Sequence, residues 1–397
     1  MHHMYYLYDK SMSKTYIVLL LFITVLISSL TSVAAAENLT AKEFFDRGVT
    51  QLKLQQYDQS IVEFNQSIVI NPNYAEAYYS RGKAYFGLKQ YDRAIADFSQ
   101  TAALQPKNSS VYYYRADAYI QLGQYDEAIA SYDQCIAIWP TNEYAYNARG
   151  DAYAKLKKYE QAIADFDKAL AIDPNYYYVY NNRGKIYSKL NQYEKALADF
   201  DRDIAINPKH AAAYNSRALT YCNLKQYEQA IADFDQAIAL NPKEPLLYFN
   251  RGLAYAQLKQ YDQAIADYDK VIAINPQYAT AYASSGVAHV YLKQYEQALV
   301  DYDKAIALDS QSAIMYFNRG QNYVNLRQYE QAIADFDKAI DLDPQYTNAY
   351  YMKGVALADL NNTREAIAAF RQSLQLSTDS EITRMASELI RRFGGTP

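Results

Sequence analysis

Apolar and polar positions along this chain repeat with a period of 34 residues. Glu143 to Tyr176 (EYAYNARGDAYAKLKKYEQAIADFDKALAIDPNY) and Pro245 to Tyr278 (PLLYFNRGLAYAQLKQYDQAIADYDKVIAINPQY) align without a gap. With position 1 at Ala41, ten units run 41–74, 75–108, 109–142, 143–176, 177–210, 211–244, 245–278, 279–312, 313–346 and 347–380. Such a period marks stacked supersecondary units, each too small to bury its apolar face alone. Position 4 is Phe or Tyr and position 8 is Gly or Ala in every unit, and position 11 is Tyr in seven. The 4, 8, 11 spacing is one face of a helix, and the small residue between aromatics predicts a second helix close by. That helix carries Tyr at 17 and Ala at 20 in nine units, and Ile or Leu at 21 and Phe or Tyr at 24 in all. Proline at position 32 in eight units, usually after Asn or Asp, should end it, since the residue before proline is pushed out of the helical region. The expected fold is all-α, with two antiparallel helices per period. Residues 381–397 remain, and EITRMASELIRRF is amphipathic enough to be a capping helix.

Composition agrees with helix throughout: half of the 397 residues are apolar, yet only 12 are Gly and 10 are Pro. The net charge of −5 is spread along the chain with no basic run, which speaks against a nucleic-acid partner. Cys135 and Cys222 are too few for a disulfide framework and fall in the third and sixth units, so both are expected to be free thiols. Most of the 44 tyrosines fall at positions 4, 11, 17 and 24, which makes their excess a matter of packing.

The first 36 residues are a separate object. Ile17 to Leu30 (IVLLLFITVLISSL) carries no charge, Lys10 and Lys14 precede it, and Ala34-Ala35-Ala36 follows. A basic flank, a short apolar core and a small-residue exit predict a cleaved signal peptide over 1–36, hence a periplasmic or secreted protein. The alternative is a retained anchor over 17–36, which only just reaches the length needed to span a membrane. Membrane contact would then come through the leader alone.

An aromatic at 4, a small residue at 8, Tyr at 11, Ala at 20, an aromatic at 24 and Pro at 32 resemble the tetratricopeptide repeat, over residues 41–380. The departures are arginine at position 7 in eight units where the family has leucine, Ser310 and Thr378 in place of proline, and Thr363 and Leu357 in place of tyrosine. The resemblance implies a right-handed α-solenoid whose first helices line a concave groove, with positions 2, 5, 9, 12 and 13 facing it. Units three to five then offer a polar mixture that includes Tyr113, Asp117, Tyr144, Asn147 and Asn181. Units six to ten offer Leu219, Leu246, Phe249, Leu253, Val287, Val290, Ile314, Phe317, Val324, Tyr351 and Val355, apolar residues outside the hairpin core pattern. These are the candidate contacts for a protein or peptide partner, because contiguous exposed apolar surface marks interaction sites. No unit pairs lysine at 5 with asparagine at 9, so the family's carboxylate clamp is not expected.

Little else suggests chemistry. His210 sits in a connection and His289 replaces a packing tyrosine, with no ligand spacing between them, so no metal, cofactor or catalytic residue is expected. The Asp-aromatic-Asp runs (Asp165/Asp167, Asp233/Asp235, Asp335/Asp337) point about 200° apart on a helix and do not form a carboxylate pair. They read as a solvated or salt-bridged face, and Arg at 7 with Asp at 23 predicts a repeating ion pair of the exposed, ~0–1 kcal/mol kind. The sequence thus describes an exported, non-enzymatic adaptor with a partner in its groove. The alternative is a self-associating structural protein of the cell envelope.

Overall fold

The computed structural model describes residues 39–397, so the expected leader lies outside the described residues. Twenty-one helices, and among the described residues no strand, follow one another. In each period the first helix spans positions 1–13, as Pro245–Gln257 does, and the second spans 17–30, as Tyr261–Ile274 does. The capping helix, Ser380–Arg392, begins one residue earlier than the sequence pattern suggested, with the Asp379 carboxylate accepting from the Glu381 and Ile382 amides. The chain divides into two compact units, one ending at Val179 and the other running from Tyr180 to Pro397. The first contains the hairpins over 41–172; the second contains those over 211–376 and the capping helix.

Two local devices shape the hairpins, the first in every repeat and the second in most. Between the two helices, position 14 is leucine and position 15 adopts the left-handed conformation: Lys259, for example, has φ of 59°. There the Gln260 amide donates to the Tyr255 carbonyl and the Lys259 amide to Ala256, both at 2.9 Å, a Schellman closure that satisfies the last carbonyls of the first helix. After the second helix, the side chain at position 31 closes an Asx turn, as when the Gln277 amide donates to Asn275 Oδ1 at 3.1 Å. The eighth repeat lacks proline at Ser310 but keeps this turn through Asp309 Oδ1. The proline is therefore dispensable there, and the acidic or amide residue before it carries the stop.

The helices close on position 8. A Cβ built at Gly252 would lie 2.7 Å from Tyr268 Cε1, so the ring at position 24 rests directly on the backbone of the first helix. The same contact recurs at Gly150 with Phe166 and at Gly320 with Phe336. The neighbouring tyrosines at 4 and 11, expected to crowd this residue, instead flank the arginine at position 7: its guanidinium lies 5.7 Å from the Tyr248 ring centre and 5.9 Å from Tyr255 in the seventh repeat.

That arginine departs most from expectation. Arg251 Nε and Nη2 donate to Asp267 Oδ2 and Oδ1 at 2.8 and 2.6 Å, and Nη1 donates to Asp235 of the preceding repeat. Arg149 bridges Asp165 and Asp133, Arg217 bridges Asp233 and Asp201, and Arg319 bridges Asp335 and Asp303 in the same way. The Asp267 side chain is only 6 % exposed and that of Arg251 19 %, so the fork within a repeat is buried and not the weak surface pair expected, while the arm to the preceding repeat ends on Asp235, which is half exposed. Burial holds the Asp267 carboxyl above the usual carboxylate range even though Arg251 pulls it down. The pair therefore carries a desolvation cost, and the third nitrogen of the same guanidinium links it to the preceding repeat. As expected, the two aspartates of one run share no site: position 23 faces its own repeat's arginine and position 25 faces the next one's.

Position 5 brings a second correction. Phe317 is 7 % exposed, with its ring centre 5.9 Å from that of Phe336 and 4.9 Å from Tyr346. Phe249 is half-buried between Tyr268 and Tyr278, at 5.8 and 5.3 Å. Aromatic residues at 5, 24 and 34 of one repeat form a three-ring wedge that closes the hairpin. Phe249 and Phe317 are thus hairpin packing and not free anchors, contrary to expectation.

Two substitutions test this packing: Gly252→Leu should force the Tyr268 ring out of its seat and cost ~1–3 kcal/mol, and Asp267→Ala should cost about 3 kcal/mol by removing the buried partner of Arg251 and leaving it only the half-exposed Asp235. Asp269→Ala, at exposed position 25, should stay within about 0.5 kcal/mol. Urea midpoints of the three variants decide this, and equal midpoints would contradict the burial described. Likewise Phe317→Ala should cost ~3 kcal/mol or more, while Ile314→Ala, at a residue 56 % exposed, should leave the melting curve nearly unchanged.

Candidate functional site

The apolar residues expected to line a groove separate into three groups. Leu219, Leu246, Leu253 and Ile314 are exposed, at 40, 45, 41 and 56 %. Val287 and Val290 are half-buried on the helix Ala279–Tyr291. Phe249, Phe317, Val324, Tyr351 and Val355 pack onto the cores of their own repeats. Tyr351 and Val355 belong to the cluster that Ala386 and Ile390 of the capping helix complete, so the capping helix closes the end of the tenth repeat.

Exposed and half-buried members converge at one place. Between the seventh and eighth repeats lies a cleft of about 380 Å³ in which Leu253, Tyr261, Val287 and Tyr291 form apolar walls beside the polar Gln257, Lys259 and Ser284, with Tyr268 also lining it. Leu253 and Val287 occupy position 9 of successive repeats, which is why the solenoid period sets them side by side. Tyr291 stands where the other units carry mostly small or polar residues; its ring lies parallel to Tyr261 at 4.8 Å, and it is 64 % exposed. Sequence inspection missed this wall, although a tyrosine at position 13 in one unit alone was a visible signal. Tyr268 is 1 % exposed, and its hydroxyl has no hydrogen-bond partner among the described residues. Burial and the nearby Asp267 charge raise its pKa, so the hydroxyl is held as a donor.

Tyr302, at position 24 of the eighth repeat, likewise makes no hydrogen bond through its hydroxyl to a described residue, whereas the third repeat does provide a partner. There Tyr132, also at position 24, donates to Asp117 Oδ1 at 2.5 Å, and burial pushes the Asp117 carboxyl up to about 6. Beside it Tyr113, Tyr114, Tyr144 and the single tryptophan, Trp139, line an aromatic recess of about 240 Å³ with Ser110 and Asn142. Trp139 sits at position 31, where other units have mostly Asn or Asp, and the sequence reading did not weigh it.

Both thiols are free, Cys135 buried and Cys222 half-buried, and burial raises each to about 11. Neither is a nucleophile at neutral pH. Among the described residues, no three His, Cys, Asp or Glu side chains converge as metal ligands, and no helix is long and apolar enough to cross a membrane.

Tetratricopeptide repeat models match residues 184–245, 219–285, 79–143 and 317–381, and a TPR repeat model matches 51–89, 150–191 and 286–326. No curated protein sequence matches the chain significantly. Among solved structures, a tetratricopeptide repeat protein from Parabacteroides merdae ATCC 43184 is 19 % identical at a TM-score of 0.50, over 63 % of this chain and 98 % of its own. YrrB, described as a TPR protein with an unusual peptide-binding site, is 22 % identical at 0.41, over 48 % and 97 %. MamA from Desulfovibrio magneticus RS-1 is 25 % identical at 0.41, over 43 % and 97 %. Matched models over most of the chain, the hairpin geometry and the 34-residue period agree: the chain belongs to the tetratricopeptide repeat family.

Proposed function

We propose that this protein is an exported adaptor that holds an extended peptide segment of a partner protein, with one apolar side chain of that segment in the cleft between repeats seven and eight. Arrays of this family are typically non-enzymatic scaffolds for protein–protein contact. The observation that carries the reading is the cleft itself, walled by Leu253 and Val287 from successive repeats, with the Tyr268 ring beneath them and the exposed Tyr291 ring at its edge. A leucine- or phenylalanine-sized side chain fills such a volume, and a peptide carbonyl beside it can accept from the Tyr268 hydroxyl.

The chain itself supplies matched controls. Phenylalanine stands at position 24 in most repeats and Gln321 at position 9 in the ninth, so Tyr268→Phe and Leu253→Gln should fold normally. Peptides selected on the immobilised chain from a random dodecamer library should share an apolar residue. Their affinity, read by fluorescence anisotropy, should fall about tenfold in each variant, the equivalent of roughly 1.4 kcal/mol. Undiminished affinity in both variants, or a library that yields no binder, overturns the cleft as the site.

Export rests on the apolar run Ile17 to Leu30 with its basic flank and the alanine exit at Ala34 to Ala36. The mature chain should begin near Glu37. N-terminal sequencing of protein recovered outside the cytoplasm checks this, and recovery of the intact leader in a membrane fraction would replace cleavage by anchoring.

A further inference from the structure

From the fourth repeat to the ninth, the ladder of arginine–aspartate forks lacks its arginine at one rung. The eighth repeat keeps both carboxylates of a rung, its own Asp301 at position 23 and Asp269 at position 25 of the repeat before it, but carries Ser285 where the arginine belongs. Its position 11 is also changed, from tyrosine to His289, whose Nδ1 lies 2.9 Å from Asp301 Oδ2. The imidazole answers Asp301 alone. Asp269 has no hydrogen bond or ion pair among the described residues, and partial burial together with the Asp301 charge holds its carboxyl above the usual range, with His289 opposing. Ser285 is 2 % exposed, and its hydroxyl likewise has no partner among the described residues. It leaves the helix at the position from which the seventh and ninth repeats send a guanidinium to both aspartates.

We infer that this rung is a socket for a guanidinium group from outside the chain, the side chain of an arginine on a peptide or protein partner. Replacing arginine by serine removes the cation and most of the side-chain volume while keeping the carboxylates on two different helices. A planar fork of N–H donors bridges two such carboxylates. A compact ammonium lacks that planar fork and does not match two separated carboxylates bidentately. Tyr282 at position 4 offers the ring face on which the other arginines lie, since Arg319 sits 5.7 Å from the equivalent Tyr316. Asp269 is exposed, and the His289 and Asp301 side chains retain 17 and 18 % exposure, so the rung is reached from solvent without opening the hairpin. Ser285 and His289 form a different stripe of their helix from Ser284, Val287 and Tyr291, which line the cleft. The socket therefore does not depend on the cleft being a peptide site.

The test uses the described chain with ring-labelled histidine and single-residue probes. Nα-acetyl-arginine amide should shift the His289 resonance, identified by its loss in His289→Tyr, saturably and without moving that of His210. Nα-acetyl-citrulline amide, the neutral isostere, should not shift it, and the lysine amide should bind about tenfold more weakly. Ser285→Arg, which restores the rung from within, should abolish the response. Asp269→Asn should weaken it about tenfold and keeps the test open if the arginine variant does not fold. A silent His289, an equal response to citrulline or lysine, or an undiminished response in the folded variants overturns the socket. None of these results bears on peptide selection by the cleft.

Discussion

The buried guanidinium fork is the contact on which the arrangement of repeats depends. A hairpin alone buries the ring at position 24 against the backbone at position 8, but that seat fixes only the two helices of one repeat. The arginine at position 7 reaches two second helices at once, its own through Asp267 and the preceding one through Asp235 in the seventh repeat. Because the donors are a rigid plane and the acceptors lie on different helices, the bridge forms in one register only. Apolar packing supplies most of the stability of such an array, and the fork selects which of many similar packings is adopted. The tyrosines at 4 and 11 belong to this device, since they shield the guanidinium from water on both sides.

Once the register is fixed, positions that neither seat nor bridge are open to variation. Position 9 is one of these: Leu253 and Val287 come together across successive repeats and, with the donor beneath them, form the cleft. A hydroxyl added at Tyr268, a ring added at Tyr291 and an arginine withdrawn at Ser285 are each single departures from the repeat. All three fall in the seventh and eighth repeats. A change off both contacts, as at Tyr291, leaves neighbouring contacts as they were, whereas Tyr268 keeps the seat with one added hydroxyl and Ser285 gives up the fork.

The sequence by itself determined the hairpin, its period and its stops, because these follow from helix periodicity, a small residue at a close approach and a turn residue before proline. It also determined that arginine and aspartate would meet. It did not determine that they meet under cover, since recurrence of a charged residue reads the same on a wet face and in a dry fork. Nor did it distinguish apolar residues that wait for a partner from those that close a repeat. Phe317 and Ile314 sit three residues apart on one helix and both read as surplus to the core pattern, yet Phe317 is buried by Tyr346, thirty-two residues behind Ile314, and Ile314 is not. Burial of that kind depends on what the next turn of the chain lays over a side chain, a property of tertiary packing that local periodicity does not contain. The same reason hid the cleft and the empty rung: each is a space between repeats, visible only once both neighbours are in place.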